Sequence, residues 1–183
     1  MLKKRDLHDA PILFPLLNDL AVKPYVREKA ETIEEYYFFL NKMMIQEENG
    51  ELISRTIVDE WDAPIGAITL YDTQDQMGFL ATWIGKPYFG KGYNQYAKDL
   101  FLRELFLEKD IEIVFLKVNK VNERSLNAMK KIEYAVHASE HYPAIHEQIN
   151  RGSKKYELFA IYKDAFIFHL HEQEQDTYGE LEA

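Results

Sequence analysis

The sequence predicts a mixed α/β (α+β) domain: a central sheet with an antiparallel meander at its N-terminal side, one parallel strand pair, and flanking helices. Three observations predict it. Between Leu52 and Gly85, strand-like segments are separated only by short polar turns, which is how antiparallel neighbours are joined. The segment Trp83-Ile84-Gly85-Lys86-Pro87-Tyr88-Phe89-Gly90-Lys91-Gly92-Tyr93-Asn94 then runs from strand through glycines into an amphipathic helix. Finally, Ile111–Val118 is a nearly continuous apolar run, as expected of a strand covered on both faces.

In chain order, Ile12, Leu13, Leu16 and Leu17 cluster as in a helix over about His8–Asn18. Thr32-Ile33-Glu34-Glu35 is a capping box, in which Thr32 caps the N–H three residues on and Glu35 reaches back. It opens a second helix through Tyr36, Phe39, Leu40 and Met43, which stops near Asn49-Gly50. Leu52–Val58 alternates as a strand, Ile65–Tyr71 returns beyond a turn at Trp61–Pro64, and a third strand spans roughly Gly78–Gly85. After the glycine loop, Tyr93, Ala97, Leu100, Phe101 and Leu105 form one face of a helix ending near Asp110. A helix between two strands of one sheet makes those strands parallel, here the strand before the loop and Ile111–Val118. Asn122 caps a short helix carrying Leu126 and Met129. Tyr134–His141 and Tyr156–Tyr162 read as the last strands, and Ala165–Leu170 fits strand or helix. The expected organisation is one domain over residues 1–163 with a C-terminal extension over 164–183.

Composition narrows the class. The chain has 183 residues, 46% apolar and 14% aromatic, enough for a buried core. With 31 acidic against 22 basic residues the net charge is −9. That balance argues against a nucleic-acid partner, which needs a basic face, and suits either solubility or a cationic ligand. Cysteine is absent, which removes disulfides and thiolate chemistry. No apolar run reaches the roughly 20 residues of a bilayer span, and the basic start Met1-Leu2-Lys3-Lys4-Arg5 is not followed by a signal-peptide core. The expectation is a cytoplasmic protein without a membrane partner.

The glycine segment builds an anion site. The first N–H groups of a helix have no intrahelical acceptors and lie at the positive end of its dipole. Gly90 and Gly92 remove side chains that would hold a phosphate away from them, and Lys91 adds a point charge.

Together with Val118-Asn119-Lys120-Val121-Asn122-Glu123-Arg124-Ser125, this segment resembles the Gcn5-related N-acetyltransferase (GNAT) superfamily, most closely its ribosomal-protein N-terminal branch. The resemblance implies acetyl-CoA as co-substrate and no metal. It places the pantetheine arm along Trp83, Ile84 and Gly85, and the pyrophosphate at Phe89, Gly90, Lys91, Gly92, Tyr93 and Asn94. It also puts Asn122 beside the pantetheine, with Ser125 next to it as the candidate catalytic acid. The implied acceptor is an amine-bearing small molecule or a protein N-terminus, and the implied assembly a monomer or homodimer. The N-terminal helices (Tyr25, Tyr36, Tyr37), the first strands and the far end of the chain would build the acceptor side.

Several positions depart from the family pattern. Asn94 places bulk where the helix should approach the pyrophosphate. Met129 stands where many relatives carry a tyrosine acid, and Phe79 where many carry a glutamate base. Ile132-Glu133-Tyr134 replaces Leu-Gly-Phe, so Glu133 is expected in a left-handed cap. Glu60, Tyr71 and Asp72 are the open candidates for the base, with a water chain as the alternative to them. A non-catalytic acyl-CoA-binding module on the same fold is the alternative to an enzyme.

Two competing motifs are weaker. Gly85–Gly92 is one residue short of a P-loop: it lacks the Ser/Thr that holds Mg²⁺, and Ile111–Val118 runs into Asn119 rather than an aspartate. His137, His141, His146, His169 and His171 form no His-Glu-x-x-His pattern.

Overall fold

The computed structural model describes residues 1–152 and 155–181, with side chains through residue 173 and at 175. The chain forms two compact units, Met1–Asp110 and Ile111 onward.

The first unit holds four strands, β1 (Leu2–Lys4), β2 (Ile53–Val58), β3 (Pro64–Gln74) and β4 (Met77–Ile84), each antiparallel to the next. The meander read from the sequence is present, and β1 is an addition to it. A short edge strand rich in lysine carries little sequence signal, because such edges are kept charged against unwanted pairing. The β3–β4 hairpin closes on Asp75 and Gln76, both with positive φ (50° and 60°), the geometry that matches the strand twist in a two-residue turn.

Register sorts the sheet into two faces. Arg55, Ile68 and Thr82 align on one face, and Thr56, Ala67 and Trp83 on the other. Helices α1 (Ala10–Leu17) and α2 (Ile33–Glu48) cover the second face, where Leu13, Leu17, Tyr36, Leu40, Ala67 and Trp83 form one core. Ser54 and Thr56 are buried on this side too, but paired: Ser54 Oγ lies 2.7 Å from Thr69 Oγ1, and Thr56 donates to Asp9 at 3.2 Å. Gly66 lets β3 and β4 close tightly, since a Cβ there would stand 2.2 Å from the Trp83 carbonyl oxygen.

Thr32 caps α2 by accepting from the Glu35 N–H at 3.2 Å. The reciprocal bond of the predicted box is shifted: Glu35 accepts from Glu31 N–H at 2.7 Å, one residue before the cap. Helix α3 (Tyr93–Glu108) covers the Thr82 face. Its buried stripe is Ala97, Lys98, Phe101, Leu102, Leu105 and Phe106. Tyr93 and Leu100, expected on that face, are only half-buried, because the stripe is turned toward the 98–102–106 row. Arg55 joins both helices to β2 through ion pairs with Glu47 at 2.5 Å and with Glu104.

The second unit holds β5 (Ile113–Asn119), β6 (Ala135–His137) and β7 (Tyr156–Tyr162), with β7 antiparallel to both others. Helix α4 (Glu123–Met129) follows the Asn122 cap as expected. The predicted strand Tyr134–His141 shrinks to β6, and an unforeseen helix α5 (Pro143–Ile149) follows. Asn150 fastens the end of α5 to β7, accepting from the Tyr156 N–H at 2.9 Å and donating to its carbonyl at 3.0 Å. Ala165–Leu170 belongs to helix α6 (Lys163–Leu181). Glu133 is not among the residues with positive φ; the chain leaves α4 through a right-handed cap at Lys130, so no left-handed residue is needed there. Among the described residues no helix is long and apolar enough to cross a membrane.

Candidate active site

The strand–loop–helix segment of the first unit is laid down by packing at both ends. Gly85 donates to the Ile65 carbonyl at 2.8 Å, and a Cβ on it would meet Leu16 at 2.9 Å. A single 3₁₀ turn, Lys86–Tyr88, follows. Phe89 then packs its half-buried ring against the α1–α2 core, so the aromatic at this position anchors the loop.

Beyond Phe89 the backbone turns left-handed twice, with φ of 74° at Gly90 and 84° at Gly92, a region that costs other residues about 1 kcal/mol. Open space lies where their Cβ atoms would be. No described residue accepts a hydrogen bond from the N–H groups of Gly90, Lys91, Gly92, Tyr93 or Asn94. Unpaired donors at the start of a 16-residue helix, facing open space, form a cradle for an anion. Lys91 is exposed beside it, with its ammonium 5.4 Å from the Tyr88 ring centre. Tyr88 meets Tyr93 edge-on at 5.9 Å, and the Tyr93 hydroxyl donates to Glu60. That bond pushes the Tyr93 hydroxyl up to about 12 and holds the Glu60 carboxyl below its usual range. Asn94 points its side chain toward β4, accepting from Thr82 at 3.3 Å, so its bulk is turned toward the strand.

The remaining predicted residues are Trp83 and Ile84, both buried at the end of β4, and Asn122 and Ser125 in the second unit. Asn122 accepts from the Ser125 N–H at 3.2 Å and so starts α4. No described residue hydrogen-bonds the half-buried Ser125 hydroxyl. Met129 is buried in the core.

The base candidates are all engaged. Glu60 holds Tyr93. Asp72 receives both Arg27 nitrogens at 3.0 and 3.2 Å. Tyr71 is buried, and desolvation with the nearby Glu28 charge raises its pKa, so its hydroxyl keeps its proton. Its partner is Glu28 Oε1 at 3.4 Å.

Glu28 is the group that sequence reasoning missed. It is 3% exposed, lies 3.6 Å from Arg5 Nη2, and lines a cleft with Tyr25, Val26, Arg27, Tyr71 and Trp83. Its neighbours Arg27 and Lys29 make it look like part of a solvated turn. Its burial is created by Arg5, Tyr36 and Tyr71, which lie far away in sequence and leave no local signal.

These features match known proteins. The model of the acetyltransferase (GNAT) domain matches residues 1–135, and the chain belongs to the GNAT acetyltransferase family. No curated protein sequence matches it. Among solved structures, it is similar to the spermidine N-acetyltransferase of Vibrio cholerae in complex with CoA and spermine (TM-score 0.73, 14% identity, covering 91% of this chain and 97% of that one). It is also similar to the ribosomal-protein-S5-alanine acetyltransferase of Vibrio fischeri (TM-score 0.70, 15% identity, 89% and 92%). FdhC, a nucleotide-linked sugar GNAT, gives a TM-score of 0.73 at 18% identity, over 97% and 92%. The ribosomal-protein branch expected from the motifs is thus represented, together with polyamine and nucleotide-sugar relatives. At these identities the likeness shows the mixed α/β GNAT fold.

Proposed function

We propose that this chain moves an acetyl group from acetyl-CoA to a primary amine by direct attack. The observation that carries the reading is the row of unpaired N–H groups from Gly90 to Asn94 at the start of α3 in a GNAT-family chain. These donors and Lys91 would hold the pyrophosphate. The backbone of Trp83, Ile84 and Gly85 would hold the pantetheine as an added strand, with Asn122 beside it. The neutral amine nitrogen forms a bond to the thioester carbonyl carbon, and the resulting oxyanion needs N–H donors. The carbon–sulfur bond then breaks. The attacking nitrogen loses a proton to a base or water, and the departing thiolate takes one, with Ser125 as the proposed donor. The family fold seen with CoA and spermine in a relative supports an amine acceptor.

Calorimetric titration tests the binding half. Acetyl-CoA should bind saturably, Mg-ATP should not compete, and Gly92→Asp should abolish binding in a folded protein. Absence of acetyl-CoA binding in the unmodified chain would overturn the reading. Met129 in the core, and base candidates that are all engaged, favour the second reading of an acyl-CoA-binding module without turnover. Ser125→Ala separates the two: an enzyme loses rate and keeps CoA affinity, whereas a binder has no rate to lose.

A further inference from the structure

We propose that the cleft between the α1–α2 connection and β4 is the site of one ordered internal water, which accepts a hydrogen bond from the Trp83 indole N–H and donates to the Glu28 carboxylate. The assignment is independent of the acetyl-transfer reading above.

The cleft lies within the first unit, where Tyr25–Glu28 face Tyr71 and the Ala81–Trp83 end of β4. Its free volume is about 20 Å³. One water needs roughly 10–15 Å³, so one fits, a second does not, and an organic ligand has no room. Two of the lining residues are more than nine-tenths buried and carry a polar atom without a hydrogen bond. The Trp83 indole N–H donates to no described residue, and Glu28 Oε2 accepts from none. Oε2 does face Arg5 Nη2, at 3.6 Å. That ion pair balances the charge but lies beyond the reach of an N–H···O bond, about 2.7–3.2 Å. A carboxylate oxygen has more than one lone-pair direction, so Oε2 can face Arg5 and take a water proton as well.

Polarity decides between a water and a dry void. Internal cavities that stay empty are apolar, and buried polar groups are nearly always paired, through water where no protein group reaches them. The Tyr71 hydroxyl gives its proton to Glu28 Oε1 at 3.4 Å and keeps an acceptor lone pair for the water's second proton. Trp83, Glu28 and Tyr71 together supply the three or so bonds that an internal water makes.

The water also supplies a tie. From Val26 to Ala30 the connection makes no backbone–backbone hydrogen bond among the described residues. Side chains hold it instead, such as Arg27 on Asp72. A water between Glu28 and Trp83 stitches the connection directly to β4.

The test uses the full-length protein, labelled with ¹⁵N and carrying Trp61→Phe, so that the remaining indole N–H signal belongs to Trp83. That proton should show a nuclear Overhauser effect to the water line, with the sign of a long-lived internal water. The signal should persist in Tyr71→Phe, which removes the nearest exchanging hydroxyl. It should be lost when Arg5→Met and Glu28→Met are combined, which removes the buried ion pair as a unit. If that variant does not fold, a crystal structure of the unmodified protein decides, with a solvent peak expected about 2.7–3.2 Å from both Trp83 Nε1 and Glu28 Oε2. No signal in the unmodified indole, loss in Tyr71→Phe, survival in the double variant, or a solvent peak that misses either atom overturns the proposal.

Discussion

The Thr82 hydroxyl donates a hydrogen bond to the Asn94 side-chain carbonyl across 3.3 Å, fastening the end of β4 to the first turn of α3. The bond spans the loop that carries Gly90 and Gly92, so strand, loop and helix are held as one piece. It also accounts for the polar, branched residue at a position where the family pattern favours a small one.

Gly92→Ala should cost only the left-handed backbone, about 1 kcal/mol, because nothing in the protein meets the added methyl. Thermal unfolding should fall by roughly 2–4 °C. Affinity for acetyl-CoA should fall further, and Gly92→Asp should remove it by placing a carboxylate in the cradle. A Gly92→Asp protein that binds acetyl-CoA normally by calorimetry would relocate the anion site.

Asn122→Ala should remove the cap of α4 and cost about 1 kcal/mol, since the Ser125 N–H loses its acceptor. Asn122→Asp keeps an acceptor at the same place and should restore the stability. Thermal melts of the two variants check this.

Lys98 is 6% exposed, forms no ion pair or hydrogen bond among the described residues, and burial lowers its pKa to about 8. In the unfolded chain it titrates near 10.5. Below about pH 8 the folded state carries a buried charge, and the full penalty applies. Between about 8 and 10.5 the unfolded state binds more protons than the folded one, so this group's contribution to stability improves as pH rises. Lys98→Met should therefore stabilise the protein at pH 7, by up to about 3 kcal/mol, and the gain should vanish by pH 10.5. Denaturant midpoints across that range measure it; a gain that does not shrink with pH would trace it to packing.

Arg55→Ala should be among the most damaging single changes in the first unit, at about 2–3 kcal/mol. It leaves Glu47 and Glu104 facing each other without their shared cation. Their partial exposure, 25% and 17%, keeps the loss below that of a fully buried pair. Urea midpoints read it directly.

Where local pattern and burial agree, sequence reasoning located the elements closely. The meander, α2 from Thr32 to Asn49, the glycine loop and the Asn122 cap all follow from short-range chemistry. It failed where a distant contact decides. β1 exists because β2 pairs with Lys3 and Lys4, and α5 is held by Asn150 reaching β7. Buried Lys98 sits in a stripe that an amphipathic reading assigns to apolar residues. For the site, the N–H cradle was legible because it is built from consecutive residues. Glu28 was not, because its surroundings come from Arg5, Tyr36 and Tyr71.

Gly66 lines neither the cradle nor the cleft, yet it lies against the backbone of Trp83, which lines the cleft, and of Ile84 beside it. Its missing side chain lets β4 sink against β3, and Trp83 and Ile84 ride on that part of β4. A methyl at residue 66 would act as a shim, lifting the strand that floors the cleft. The width of the site is thus adjustable from beneath, at a residue no ligand would ever contact.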